Sequence, residues 1–144
     1  MLLFDVNVLI NAHQESAKNY QRYKSFFESV VNGPASFGMS ELVCSAFVRI
    51  VTDPRAYAES TPIDHAVDIV HRFLSRENCH RIHPGARHFE IFTDLCLRTP
   101  VRGKDVADAY LAALAIESGC EWVTDDRGFA RFPGLRWRRP LDEV

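Results

Sequence analysis

Lys104-Asp105-Val106-Ala107-Asp108-Ala109-Tyr110-Leu111-Ala112-Ala113-Leu114-Ala115-Ile116-Glu117-Ser118-Gly119-Cys120-Glu121-Trp122-Val123-Thr124-Asp125-Asp126 is the stretch from which the fold is read. Lys104 to Ser118 is rich in Ala and Leu and predicts a helix, and Gly119 is its C-terminal stop. Glu121 to Thr124 predicts a short buried strand, with two acids directly after it. A helix that feeds a short apolar strand is half of a repeating strand–helix unit. Asp108 is out of character in this helix, because Ala107, Ala109 and Leu111 surround it. An acid on a packed face costs free energy unless it is paired or binds a cation.

The same alternation extends outward. Towards the N-terminus, Ala86 to Leu97 reads as helix and Cys79 to His83 as strand. Thr61-Pro62-Ile63-Asp64 is a helix start, with Thr61 as N-cap, Pro62 at the first helical position and Asp64 in the first turn; the helix runs to about Arg76. Ser40 is an N-cap for a helix from Glu41 to about Thr52, ended by Asp53-Pro54. Ala35 to Met39 reads as strand. Asn19 to Asn32 places Tyr20, Tyr23, Phe26, Phe27, Val30 and Val31 at helical spacing before Gly33-Pro34. Val6 to Ala12 turns into a helix, and Leu2 to Asp5 is the first strand. On the other side, Leu135 to Trp137 is a fifth strand after Pro133-Gly134. Short apolar strands alternating with helices predict an α/β fold, its mainly parallel sheet of about five strands covered on both faces. Ligands of such sheets bind beyond the carboxyl ends of the strands.

Acids gather at those ends. Asp5 closes the apolar run Met1-Leu2-Leu3-Phe4, Asp126 follows the fourth strand, and Glu41 opens the helix after the second. Asp108 lies early in the helix that precedes the fourth strand. Four such acids along the chain suggest one set of oxygen ligands for a hard divalent cation. That chemistry suits hydrolysis of a phosphate ester.

Size and composition narrow the class. At 144 residues, 47% of them hydrophobic and 25% charged, the chain is expected to form a single soluble domain over residues 1–144. A net charge of −2 gives no global attraction to nucleic acid. From Arg127 to Arg139, however, there are five arginines and no acid. They form either a basic rim for a polyanion or a solvated C-terminal edge. Cys44, Cys79, Cys96 and Cys120 show no zinc or redox spacing and read as buried free thiols in a reducing cytoplasm. No apolar stretch approaches a membrane span, and Asp5 interrupts the first apolar run.

Four segments occur in a telling order: Leu3-Phe4-Asp5-Val6-Asn7-Val8-Leu9-Ile10, Ser40-Glu41-Leu42, Asp108-Ala109-Tyr110-Leu111-Ala112-Ala113-Leu114-Ala115, and Thr124-Asp125-Asp126-Arg127-Gly128-Phe129. Together they resemble a PIN-domain ribonuclease, specifically a VapC-type toxin of a type II toxin–antitoxin pair. The resemblance covers nearly the whole chain, although Arg55 to Leu97 carries no signature of it. It implies a three-layer α/β/α fold, Mg²⁺- or Mn²⁺-dependent endonucleolytic cleavage of RNA, a VapB-type antitoxin that neutralises it, and a homodimer. It also implies that Asp5, Glu41, Asp108 and Asp126 are the catalytic acids. Asp5 and Asp108 are expected to hold one ion, with Glu41 helping directly or through water, and Asp126 to complete the site or help hold a second ion. Asn7 and Thr124 match positions beside the first and last acids. Hydrolysis of this kind leaves a 5′-phosphate and needs neither a 2′-hydroxyl nucleophile nor a histidine base.

Each residue also has a plainer reading. Asp5 can cap the turn that follows it, and Glu41 can be a first-turn acid favoured by the helix dipole. Asp108 can form a structural salt bridge. Asp105 is either an accessory acid or an N-terminal dipole residue. The Thr-x-Asp spacing favours Asp126 over Asp125, which is left as a solvent-facing turn residue or a supporting acid. Asn7 either orients Asp5 or forms a turn. Thr124 either bonds a site carboxylate or simply ends a strand. Arg127 and Arg131 are candidate contacts to RNA phosphates. His80, His83 and His88 lack zinc-motif order and read as an exposed strand and helix face. The aromatics from Tyr20 to Phe27 read as core or dimer packing rather than base stacking. Two other functions stand against the ribonuclease. A Mg²⁺-dependent phosphatase of the haloacid-dehalogenase kind would place an acid two residues after Asp5, where Asn7 stands. A catalytically inactive PIN-like module binding RNA or protein would keep the fold without turnover.

Overall fold

A computed structural model describes residues 1–142 and builds them in the predicted alternation; the last two positions of the expected domain, Glu143 and Val144, lie outside the described residues. The order is β1 (Leu2–Phe4), α1 (Val6–His13), α2 (Tyr20–Val31), β2 (Phe37–Met39), α3 (Glu41–Val51), α4 (Ile63–Leu74), β3 (Cys79–Arg81), α5 (His88–Arg98), α6 (Asp105–Ser118), β4 (Glu121–Val123) and β5 (Trp137–Arg138). A 3-10 turn, Arg127–Arg131, lies between β4 and β5 and is not legible in the periodicity.

The five strands form one sheet in the order β3-β2-β1-β4-β5, and every pairing is parallel. Leu3 of β1 stands level with Gly38 of β2 and with Trp122 of β4. The three inner strands carry the largest buried side chains, among them Phe4, Phe37, Met39 and Trp122. Parallel strands are covered on both faces, so their residues are apolar without alternation. The edge strands β3 and β5 carry His80, Arg81 and Arg138, side chains that keep a sheet edge from pairing with another chain.

Parallel neighbours need crossovers, and crossovers are right-handed. From β1 to β3 the chain steps one way across the sheet, so α1 to α4 share one face; they pack on one another accordingly. It then returns past β1 to β4, which sends α5 and α6 to the opposite face as a packed pair. The result is a three-layer α/β/α fold. Ala109, Ala112, Ala113 and Ala115 of α6 are fully buried, and their small side chains let this helix lie close on the sheet. Among the described residues no helix is long and apolar enough to cross a membrane.

Several expectations shift. Pro62, not Thr61, is the N-cap of α4, because Ala66 N–H donates to the Pro62 carbonyl. Thr61 is used elsewhere: its N–H bonds the Val51 carbonyl at 2.8 Å. The helix ends at Leu74 rather than Arg76, and β5 begins at Trp137 rather than Leu135. Ser40 holds the cap position of α3, but its side chain makes no capping bond. His80 and His83 are exposed as expected, whereas His88 is buried. Its Nε2 bonds the Tyr110 carbonyl at 2.9 Å, tying α5 to α6. Cys44 and Cys120 are buried, but Cys79 and Cys96 are only partly so.

Candidate active site

The sheet reverses its winding between β1 and β4, and the crevice beyond a reversal point is where open α/β sheets bind ligands. Asp5 leaves β1 there and Thr124 leaves β4 beside it, joined by a bond from Asp5 N–H to the Val123 carbonyl at 2.9 Å.

Asp5 is 6% exposed. It caps α1 as the plainer reading expects, with Oδ1 accepting from Val6 N–H at 2.7 Å. Oδ2 does a second job, accepting from the Thr124 hydroxyl at 2.7 Å and from Asn7 Nδ2 at 3.3 Å. Burial pushes its pKa up to about 6; the Thr124 and Val6 bonds oppose that rise, and Asp108 and Asp126 add to it.

Thr124 is completely buried. Its hydroxyl donates to Asp5, and accepts from Asn7 Nδ2 at 3.2 Å and from Asp126 N–H at 3.0 Å. One donor and two acceptor positions are thereby filled. Thr124 therefore links the end of β1 to the backbone that carries Asp126. Asn7 completes the link, since its Oδ1 accepts from Asp125 N–H at 3.2 Å.

Asp126 caps the 3-10 turn, with Oδ1 accepting from Gly128 N–H at 2.8 Å. A Cβ on Gly128 would fall 2.9 Å from that oxygen, so a larger residue there would push the Asp126 carboxylate out of its place. Asp108 sits in the first turn of α6 and accepts from Arg131 Nη2 at 3.1 Å. Its pKa is raised, first by burial and then by Asp126, with Arg131 opposing. Asp105 adds a smaller upward push.

Asp5, Asp108 and Asp126 thus lie within one another's fields, while Glu41 is engaged elsewhere. Its exposed carboxylate reaches Arg81 Nη1 at 3.2 Å and His83 Nδ1 at 3.5 Å. Each acid holds its own partner, and among the described residues no three His, Cys, Asp or Glu side chains are gathered as tightly as in a formed metal site. The donor set nevertheless fits a hard divalent cation. Three carboxylates share one field, two of them have their pKa pushed upward, and among the described residues Arg131 is the one cation paired with them. A cavity of about 400 Å³ opens beside Asp5 and Asp108, walled by Val6, Leu42, Val43 and Tyr110 with Arg49 also lining it. A larger one, about 520 Å³, lies by α2 and α4 and touches none of these acids.

The arginine-rich segment is more occupied than its sequence suggests. Arg131 pairs with Asp108, Arg136 bonds the Gly119 carbonyl, Arg138 faces Glu121, and Arg139 faces Asp125. Arg127 is exposed and makes no ion pair among the described residues. Sequence reasoning passes over Asn11, Tyr23 and Arg139, all of which contact Asp125. One signal is present: Asn7 and Asn11 stand four apart on one face of α1.

The PIN-domain profile matches residues 2–135, and the chain belongs to the PIN-domain family. VapC ribonucleases are among its full-length relatives. It is 39% identical to VapC ribonuclease Mb2897 of Mycobacterium bovis, over 99% of this chain and 97% of that protein. It is 32% identical to ribonuclease VapC25 of Mycobacterium tuberculosis, over 97% of this chain and 99% of that protein. In fold it is similar to the VapBC2 complex of Rickettsia felis bound to a promoter DNA fragment, with TM-score 0.68 and 17% identity over 96% of this chain and 97% of that one. It is likewise similar to Mycobacterium tuberculosis VapC20, a sarcin-ricin loop cleaving toxin, with TM-score 0.67 and 15% identity over 94% of this chain and 99% of that one.

Proposed function

We propose that this chain is a divalent-metal-dependent endoribonuclease, the toxin of a toxin–antitoxin pair, neutralised by a VapB-type antitoxin and acting as a homodimer in the cytoplasm. The observation that carries this reading is the meeting of Asp5, Asp108 and Asp126 at the reversal point of the sheet, in a chain whose full-length relatives include ribonucleases.

Asp5 and Asp108 would hold Mg²⁺ or Mn²⁺, with Asp126 and Glu41 completing the ligand set. Once bound, the ion supplies positive charge against the phosphate and makes water more acidic. The chain supplies the rest. Thr124 and Asn7 hold the Asp5 carboxylate in one orientation, so its free lone pairs point in a set direction. Asp126 is held by its own turn. Arg131 pairs with Asp108 in the free protein, and a cation bound at Asp108 would release its guanidinium for an RNA phosphate. To join the ligand set Glu41 would have to leave Arg81 and His83, exposed partners worth little in free energy.

The test is cleavage of structured RNA by the purified chain with Mg²⁺ or Mn²⁺. Discrete products with 5′-phosphate ends are expected, and EDTA should stop their formation. Asp108→Asn, which removes one ligand charge at nearly constant volume, should lower the rate about 10²-fold or more while the fold persists. Full activity in folded Asp108→Asn would remove this acid from the mechanism.

A further inference from the structure

Asp125 stands beside a proposed metal ligand, yet its carboxylate points the other way. Oδ2 accepts from the Tyr23 hydroxyl of α2 and from Asn11 Nδ2 of α1, the latter at 3.2 Å. Oδ1 is buried without a hydrogen bond and lies 3.6 Å from Arg139 Nη2, beyond β5. The side chain is only 18% exposed, and that of Arg139 31%. The same residue's N–H donates to Asn7, whose amide touches both Asp5 and Thr124. One residue therefore ties α1, α2 and the segment after β5 to the turn that carries Asp126.

A half-buried carboxylate is a poor way to gain stability, because desolvation offsets what pairing returns. What this arrangement provides is position. Thr124 and Asn7 link Asp5 to the backbone of Asp125 and Asp126, and both links run to the β1–α1 junction. The Asp125 side chain adds anchors on α2 and on the segment after β5, which neither Thr124 nor Asn7 reaches. We infer that Asp125, with Tyr23, Asn11 and Arg139, is the positioning residue of the metal site, setting Asp126 relative to Asp5. The inference rests on the reading of Asp5, Asp108 and Asp126 as metal ligands. Groups behind metal ligands commonly govern affinity and rate without touching the ion.

The test uses the full chain and Mn²⁺ alone as probe, with binding followed by calorimetry and RNA cleavage by steady-state kinetics. Asp125→Ala should weaken Mn²⁺ binding about 10- to 100-fold and lower kcat, with KM for RNA unchanged. Tyr23→Phe, which removes one hydroxyl, should shift both in the same direction by a smaller factor and carries the test if Asp125→Ala does not fold. Asp125→Asn keeps an acceptor for Tyr23 and should recover most of the affinity, whereas Asp108→Asn should not. Wild-type Mn²⁺ affinity in folded Asp125→Ala or, failing that, in Tyr23→Phe would overturn the inference. Asp125→Asn losing affinity as fully as Asp108→Asn would overturn it too, by making Asp125 a ligand. Absence of Mn²⁺ binding by the wild-type chain would instead overturn the metal reading beneath it.

Discussion

At the scale of single residues, Asp5 sets the balance between stability and function. Its carboxyl is pushed from 3.8 to about 6, chiefly by burial, although three donors surround it. Between about pH 4 and 6 it therefore holds, in the folded protein, a proton that the unfolded chain has already released. Its contribution to stability is fully present below about pH 4 and is lost as pH rises through about 6. That loss is about 3 kcal/mol at neutral pH. Asp5→Asn, which cannot ionise, should be more stable than wild type by up to this amount at pH 7.5 in EDTA, and close to it at pH 4. Urea unfolding at both pH values checks this; an equal difference at the two would show that burial of the charge is not its cause. Asp5 and Thr124 are legible as site residues because an acid after an apolar run and a Thr-x-Asp spacing are local patterns. The role of Asp125 is not, because its partners Tyr23 and Asn11 lie 102 and 114 positions away.

At the scale of elements, legibility follows the range of the interactions that set each boundary. The end of α6 is legible because Gly119 solves a local problem: it takes φ 71°, and its N–H closes the helix on the Ile116 carbonyl. A Cβ there would meet nothing within 4 Å, so Gly119→Ala should cost only the backbone penalty, about 1–2 kcal/mol in chemical unfolding. A larger loss would point to a packing role that the open surroundings do not provide. Composition places the start of α4 one residue early, because Thr61 looks like a cap. Its N–H is taken by the end of α3, and its hydroxyl faces Gln14 Nε2 at 3.5 Å. The 3-10 turn escapes periodicity altogether. It is built by the bond from Gly128 N–H to the Asp126 carboxylate, a local contact that leaves no periodic mark in the sequence. His88 likewise reads as an exposed side chain, because nothing nearby in sequence reveals that the Tyr110 carbonyl awaits it.

At the scale of the whole molecule, charge is arranged rather than abundant. Arg136, Arg138 and Arg139 are engaged within the chain away from Asp108, which leaves Arg127 exposed and Arg131 paired with Asp108. Removing the Arg127 and Arg131 side chains should weaken RNA binding and lower the slope of log affinity against log salt by about one for each phosphate those side chains neutralise. An unchanged slope would place both away from the substrate path. The class and layering of the fold are legible because alternation of strands and helices admits few topologies. The order of the strands, and the turn of Glu41 towards Arg81 and His83, are not, since both depend on which sheet edge each segment joins.

That strand order has a consequence for how the protein comes into being. β1 leaves the ribosome early, yet its neighbour at the site, β4, is separated from it by more than a hundred positions, as the 119-residue span from Asp5 to Thr124 records. Asp5 emerges and waits for Thr124, Asn7 for Asp125, and Asp125 for Arg139. A nascent chain that has not yet reached β4 holds its first acid without the wall that would complete the crevice. Most of the domain must therefore be synthesised before Asp5, Asp108 and Asp126 can stand together at the reversal point of the sheet.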